Sequence, residues 1–244
     1  MKPTFLFLLG LLLSITGSTH AEPELNAAGT PLIQAIPMRG WSTGAAVSFG
    51  RREFKADGAL LETDIRRIMA RVGFDLLPSV HPWIEAGTVK ADQDDFDGEN
   101  GPSWAVGVEV NLAEFVVDGH PSLPRKKVVR LGGEAAYRQS ESNFADADFN
   151  WSEILLRPRL SYVVDHRGAD EWVGYHPTGS SYYGGLVISG VDGELGPASL
   201  DANRNFGFEL GGSFRLGNGV VTELSGILYG DKDREIRLGF AYHF

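Results

Sequence analysis

The feature that most constrains this chain is an alternation of apolar and polar side chains with a period of two, repeated from about residue 43 to the C-terminus. In IRRIMARVGFDLL, Ile68, Ala70, Val72, Phe74 and Leu76 share one face, and Arg71, Gly73 and Asp75 share the other. WAVGVEVNL sets Val106, Val108, Val110 and Leu112 against Gly107, Glu109 and Asn111. VVRLGGEAAYR opposes Val129, Leu131 and Tyr137 to Arg130, Glu134 and Arg138, and SEILLRPRLSYVV opposes Ile154, Leu156, Leu160 and Tyr162 to Glu153, Arg157, Arg159 and Ser161. FGFELGGSFRL and IRLGFAYHF continue the pattern through Phe206, Phe208, Leu210, Phe214, Ile236, Leu238, Phe240 and Tyr242. A period of two belongs to strands, so an all-β fold is expected and a helical bundle is excluded. The 31 glycines among 244 residues fit closely packed strands and turns.

A sheet that faces water on one side also alternates, so the kind of polar residue decides the reading. Eight arginines fall on the polar face: Arg52, Arg71, Arg130, Arg138, Arg157, Arg159, Arg215 and Arg237. Eight acids match them: Asp75, Glu85, Glu109, Glu134, Glu153, Glu209, Glu223 and Glu235. Lysine is almost absent from strand interiors, and the neighbours of the charges are small Gly, Ala and Ser. A crowded, enclosed polar lumen calls for this composition, with the apolar face turned outward.

The N-terminus reads as an export signal. One lysine precedes the apolar run FLFLLGLLLSITG, and Thr19 and Ala21 supply small residues before a cleavage point, so residues 1–21 are expected to be removed and 22–244 to form the mature domain, starting at Glu22. No later segment is long and apolar enough for a spanning helix. Ten segments suit tilted spanning strands: 43–54, 64–77, 82–90, 103–113, 127–139, 151–164, 183–191, 206–216, 220–229 and 234–244. Eight or twelve remain open, because the connections 113–126 and 165–181 are long for the end that bears the termini. On this count LPSVHP and GNG are short turns at that end, and 91–100, 140–150 and 192–205 are polar loops at the other. Trp41, Trp83, Trp104 and Trp151 fall at or near strand ends, where an aromatic girdle would place them.

The closing segment EIRLGFAYHF ends on an aromatic residue, with Tyr242 and Phe240 at alternate positions before Phe244. It resembles the C-terminal strand by which Gram-negative outer-membrane β-barrel proteins are recognised during assembly. The likeness is to the small OmpA-like and OmpX-like group in general and selects no member. It implies an antiparallel up-and-down transmembrane β-barrel in the outer membrane, with Phe240, Tyr242 and Phe244 as the assembly signal. It implies as partners the outer-membrane lipid, lipopolysaccharide and the barrel assembly machinery.

Chemistry is sparse by comparison. The absence of Cys removes thiolate chemistry and a lipidated cysteine, and a net charge of −10 argues against a nucleic-acid partner. His81, His120, His166, His176 and His243 fall at the terminus-bearing end, where surface roles are expected, and no G-x-S-x-G occurs. Asp94, Asp95 and Asp97 are weak candidates for a cation, but DQDDFDGEN fails the calcium-loop register, which would place Trp104 where a bidentate Glu is needed. No cofactor is expected. The reading is a barrel whose narrow, charge-paired lumen leaves it a structural or surface-interaction role, or passage for very small solutes or ions. Its network is Arg71, Glu85, Glu109, Arg130, Glu134, Arg138, Arg157, Arg159, Glu209, Arg215, Glu223 and Arg237. A membrane-embedded hydrolase acting on lipid or peptide and a soluble periplasmic β domain are the alternatives.

Overall fold

The computed structural model describes residues 40–77, 79–93, 97–118, 127–144, 147–165, 177–216, 219–230 and 232–243. Eleven strands follow in order: β1 (Trp41–Ala56), β2 (Ala59–Phe74), β3 (Val80–Asp92), β4 (Gly101–Asp118), β5 (Lys127–Phe144), β6 (Ala147–Asp165), β7 (Pro177–Leu195), β8 (Ala198–Ala202), β9 (Phe206–Leu216), β10 (Val220–Leu228) and β11 (Arg234–His243). Among the described residues there is no helix. Ten strands form an antiparallel up-and-down barrel, each paired with its sequence neighbours except that β7 meets β9, and β11 closes onto β1 from Ser42↔His243 to Arg51↔Arg234. The hairpin between β1 and β2 turns on Asp57 and Gly58, both at positive φ, the arrangement that matches the twist of the flanking strands.

Each of the ten expected segments maps onto one strand of the barrel; β2 and β10 stop short of the expected ends at 77 and 229, while several other strands run further than their sequences suggested. The stretch 140–150, expected as a loop, is the continuation of β5 and β6, which pair out to Phe144↔Ala147. The stretch 192–205, also expected as a loop, contains the end of β7 and all of β8. The long connections shrink in turn, since β4 reaches Asp118 and β7 starts at Pro177. The export signal, Phe244, Asp94, Asp95, His120, His166 and His176 lie outside the described residues.

β8 changes the architecture. It pairs with β7 through Asp192↔Asp201 to Leu195↔Ala198, and with β1 through Phe54↔Ala202, Lys55↔Asp201 and Ala56↔Leu200. Lower on the same edges, β7 holds β9 and β1 holds β11. The short β9, β10 and β11 therefore stop beneath β8, which bridges over them and completes a second circuit of eight strands, β1 to β8, at the hairpin end.

The outer surface is apolar in a band. On β6 the outward side chains Ile154, Leu156, Pro158, Leu160, Tyr162 and Val164 span ten residues, about 33 Å along the strand at ~3.3 Å each and about 25 Å once tilted by ~40°. Above this band the outward residues turn polar on several strands together. The change falls between Phe49 and Arg51 on β1, between Ile68 and Arg66 on β2, and between Ile154 and Ser152 on β6. Trp41 packs at a tilt on Phe74 at 5.0 Å and Tyr182 meets Phe214 edge-on at 6.2 Å toward the terminus-bearing end, while Trp104 and Tyr137, 5.6 Å apart, sit near the other margin. Trp83 and Trp151 do not join these rims as expected: both are buried inside the barrel. Their parity places them inward, and the interior near each is apolar enough to hold an indole.

Candidate functional site

The interior is filled in three tiers. Inside the eight-strand circuit lies an apolar plug of Phe54, Ala56, Ile65, Val89, Ala91, Phe149, Trp151 and Leu200. Phe149 stacks on Trp151 at 4.4 Å and meets Phe54 edge-on at 5.6 Å, geometries that favour aromatic pairs. Inward apolar residues are the reverse of the pattern in the band, because here the strands stand above it and their outward side chains are polar.

Below the plug, charge takes over. Glu153 accepts hydrogen bonds from Arg52 at 3.2 Å, Arg138 at 3.3 Å and Ser189 at 2.6 Å. The Arg52 guanidinium lies 3.9 Å from the centre of the Tyr229 ring, and Arg67 lies 3.8 Å from Glu235. One level down, Glu134 faces Arg157 at 3.6 Å and Arg159 at 3.9 Å, while Glu209 faces Arg157 at 3.7 Å and accepts two hydrogen bonds from Arg159 at 2.8 and 3.0 Å. Glu85 takes Arg71 at 2.7 Å and also pairs with Arg237. These groups come from strands on all sides of the barrel, so each ionised side chain is held by opposite charges in a space with little water.

The third tier is a cavity of about 250 Å³ at the terminus-bearing end. Arg130, lining it, gives bonds of 2.8 and 3.2 Å to Glu114. The Tyr183 hydroxyl donates to Glu223 at 2.5 Å, and His81 Nδ1 lies 2.5 Å from Asp75. Glu109 and Arg215 line the cavity as well. His81 thus belongs to the interior and not to the outer surface where its turn position had placed it. A carboxylate-oriented imidazole can hold or accept a proton, but among the described residues no hydroxyl is hydrogen-bonded to its free nitrogen.

The twelve charged residues expected in the lumen all point inward, but not all into one network. Arg71, Glu85, Glu134, Arg138, Arg157, Arg159, Glu209 and Arg237 belong to the ion-paired tier, whereas Glu109, Arg130, Arg215 and Glu223 surround the cavity beneath it. Phe240 and Tyr242, expected as part of an assembly signal, point outward into the apolar band. Asp97, an expected cation candidate, is exposed and lies 3.6 Å from Lys90. Among the described residues no cluster of three potential metal ligands forms. Arg67 and Glu114 were missed for different reasons. Arg67 shares the parity of Arg71 and was readable. Glu114 has the outward parity of its strand, and only the bulge between Asn111 and Ala113 turns it inward.

Outside the band, at the β10–β11 turn, Asp233 is buried and accepts the Glu53 backbone N–H at 2.9 Å. Burial pushes its carboxyl above the usual range. Its exposed neighbour Lys232 is raised by the hydrogen bond it gives Glu62.

No protein-family model matches the chain, and no curated protein matches its sequence. Among solved structures, it is similar to the outer membrane protease OmpT of Escherichia coli at 9% identity, covering 84% of this chain and 97% of that one with a TM-score of 0.37. It is also similar to the translocator domain of the autotransporter NalP of Neisseria meningitidis (12% identity, 84% and 88% covered, TM-score 0.38) and to Neisserial surface protein A (14% identity, 84% and 97% covered, TM-score 0.24). Likeness at this level says nothing of chemistry, and the barrel's own surfaces must supply the rest.

Proposed function

We propose that this chain is an integral outer-membrane barrel with a structural or surface-presenting role, its termini on the periplasmic side and its eight-strand extension projecting from the cell. The observation that carries this reading is the pairing of an outward apolar band about 25 Å tall with an interior filled across its section. Phe149 and Leu200 are 0% exposed within the plug, and the arginine–glutamate tier lies directly beneath it. A solute large enough to need a pore meets two barriers of opposite character, one without water and one without free charge. The same filling supports a non-enzymatic role, because most interior charges are committed to one another. Membrane lipid is the partner of the band, lipopolysaccharide that of its outer margin, and the assembly machinery that of β11.

The test is conductance of the refolded protein in a planar bilayer. Insertion without resolvable current steps is the expected result. Steady single-channel conductance would overturn the closed-lumen reading in favour of small-solute passage, and solubility without detergent would overturn the membrane reading itself.

A further inference from the structure

We infer that the cavity at the terminus-bearing end is a binding site for a short zwitterion of amino-acid or dipeptide size, its ammonium group held by Glu109. Two groups in this cavity stand apart from the paired charges around them. Glu109, half-buried on β4, makes no hydrogen bond or ion pair with a described residue, although every neighbouring acid in the cavity has one. Trp83 is 6% exposed, and its indole N–H has no acceptor. Its ring is fixed on both sides, by the Arg71 guanidinium 3.9 Å from its centre and by Gly107, where any side chain would collide with the indole. A buried donor without an acceptor and an unpaired carboxylate each cost stability, and both are relieved by one molecule that carries an acceptor and a cation.

The remaining wall supplies the other end. Arg215 stands on β9, four strands from β4 in a ring of ten and so nearly across the cavity from Glu109. Ser181 and Ser213, opposite each other on β7 and β9, add hydroxyls that suit a carboxylate or an amide. The cavity is backed by the ion-paired tier, so the ligand would enter and leave from the same side, as in a receptor and unlike a channel. This assignment stands on the cavity alone and does not depend on the closed lumen being non-conducting.

The experiment is titration calorimetry of the refolded barrel in detergent with glycylglycine as probe. Glycinamide, which lacks the carboxylate, and N-acetylglycine, which lacks the ammonium, serve as comparisons. Saturable glycylglycine binding is expected, at least tenfold tighter than either analogue. Glu109→Gln should weaken it at least tenfold. Trp83→Phe, which keeps the ring over Gly107 and removes the N–H, should weaken it severalfold, and Asp201→Asn on the outer surface should leave it unchanged. Each variant is first shown to be folded by its altered gel migration without boiling. No saturable glycylglycine binding, equal binding by glycinamide or N-acetylglycine, or wild-type affinity in folded Glu109→Gln would each overturn the assignment.

Discussion

The barrel contains the same two-bond arginine–carboxylate geometry twice in two environments, which allows the effect of the lumen to be compared. Arg159 reaches Glu209 through Nε at 2.8 Å and a terminal nitrogen at 3.0 Å, and Arg51 reaches Asp64 through the same atoms at the same two distances. The side chains are 13% and 0% exposed in the first pair and 43% and 48% exposed in the second. Replacing Asp64 by Ala should cost about 0–1 kcal/mol, since water and salt compensate an exposed arginine. Replacing Glu209 by Ala leaves two buried arginines, and the Arg157 contact at 3.7 Å alone corresponds to roughly 4 kcal/mol at an effective dielectric of ~20. Glu134 stays within 3.9 Å of both arginines and offsets part of that, and removing Glu209 also recovers its own desolvation. A net loss of about 3 kcal/mol follows, at the lower end of the range for breaking a buried pair. The assay is reversible urea unfolding in lipid vesicles, comparing Glu209→Ala and Asp64→Ala with the parent at low and moderate salt. Equal effects at the two sites, or a salt dependence as large for Glu209 as for Asp64, would show that the lumen is freely solvated and refute the reasoning.

Other outcomes follow from the same structure. Leu210, 71% exposed on the outer face of β9, should tolerate Arg at little cost in a water-facing sheet but lose about 2–4 kcal/mol on substitution if that face meets lipid, as measured by folding into vesicles. Phe149→Ala should cost about 3–5 kcal/mol in the unfolding assay yet leave the bilayer silent, because the Arg52–Glu153–Arg138 layer still closes the section. Burial raises the Asp233 carboxyl above its unfolded value, so its ionised form is disfavoured in the folded state and stability is lost as pH rises from the unfolded pKa through the folded one. Asp233→Asn should therefore gain on the parent as pH is raised from 3 to 7, and a melting-temperature difference independent of pH would refute this.

Alternation alone determined the strands of the band and the direction of their side chains. There the two faces differ as sharply as they can, exposed apolar side chains outside and crowded charge inside, and a period of two records that difference directly. The eight arginines and eight acids assigned to the polar face all lie on the inner face for this reason. The hairpin end was not legible, because above the band the outer face is polar and the inner face apolar. Stretches such as SESNFADADFN and DGELGPASLDANRN then read as polar loops, although they carry the strands around Phe149 and Leu200. The inward turn of Glu114 depends on a bulge that leaves no mark in composition. Pairing is the last thing a linear pattern withholds. Arg159 and Glu209 are 50 residues apart, and Arg52 and Glu153 are 101 apart. Parity says that each points inward, but only the closure of β11 onto β1, and of β8 onto both β7 and β1, decides which charges meet, where the plug forms and that a cavity is left beneath them.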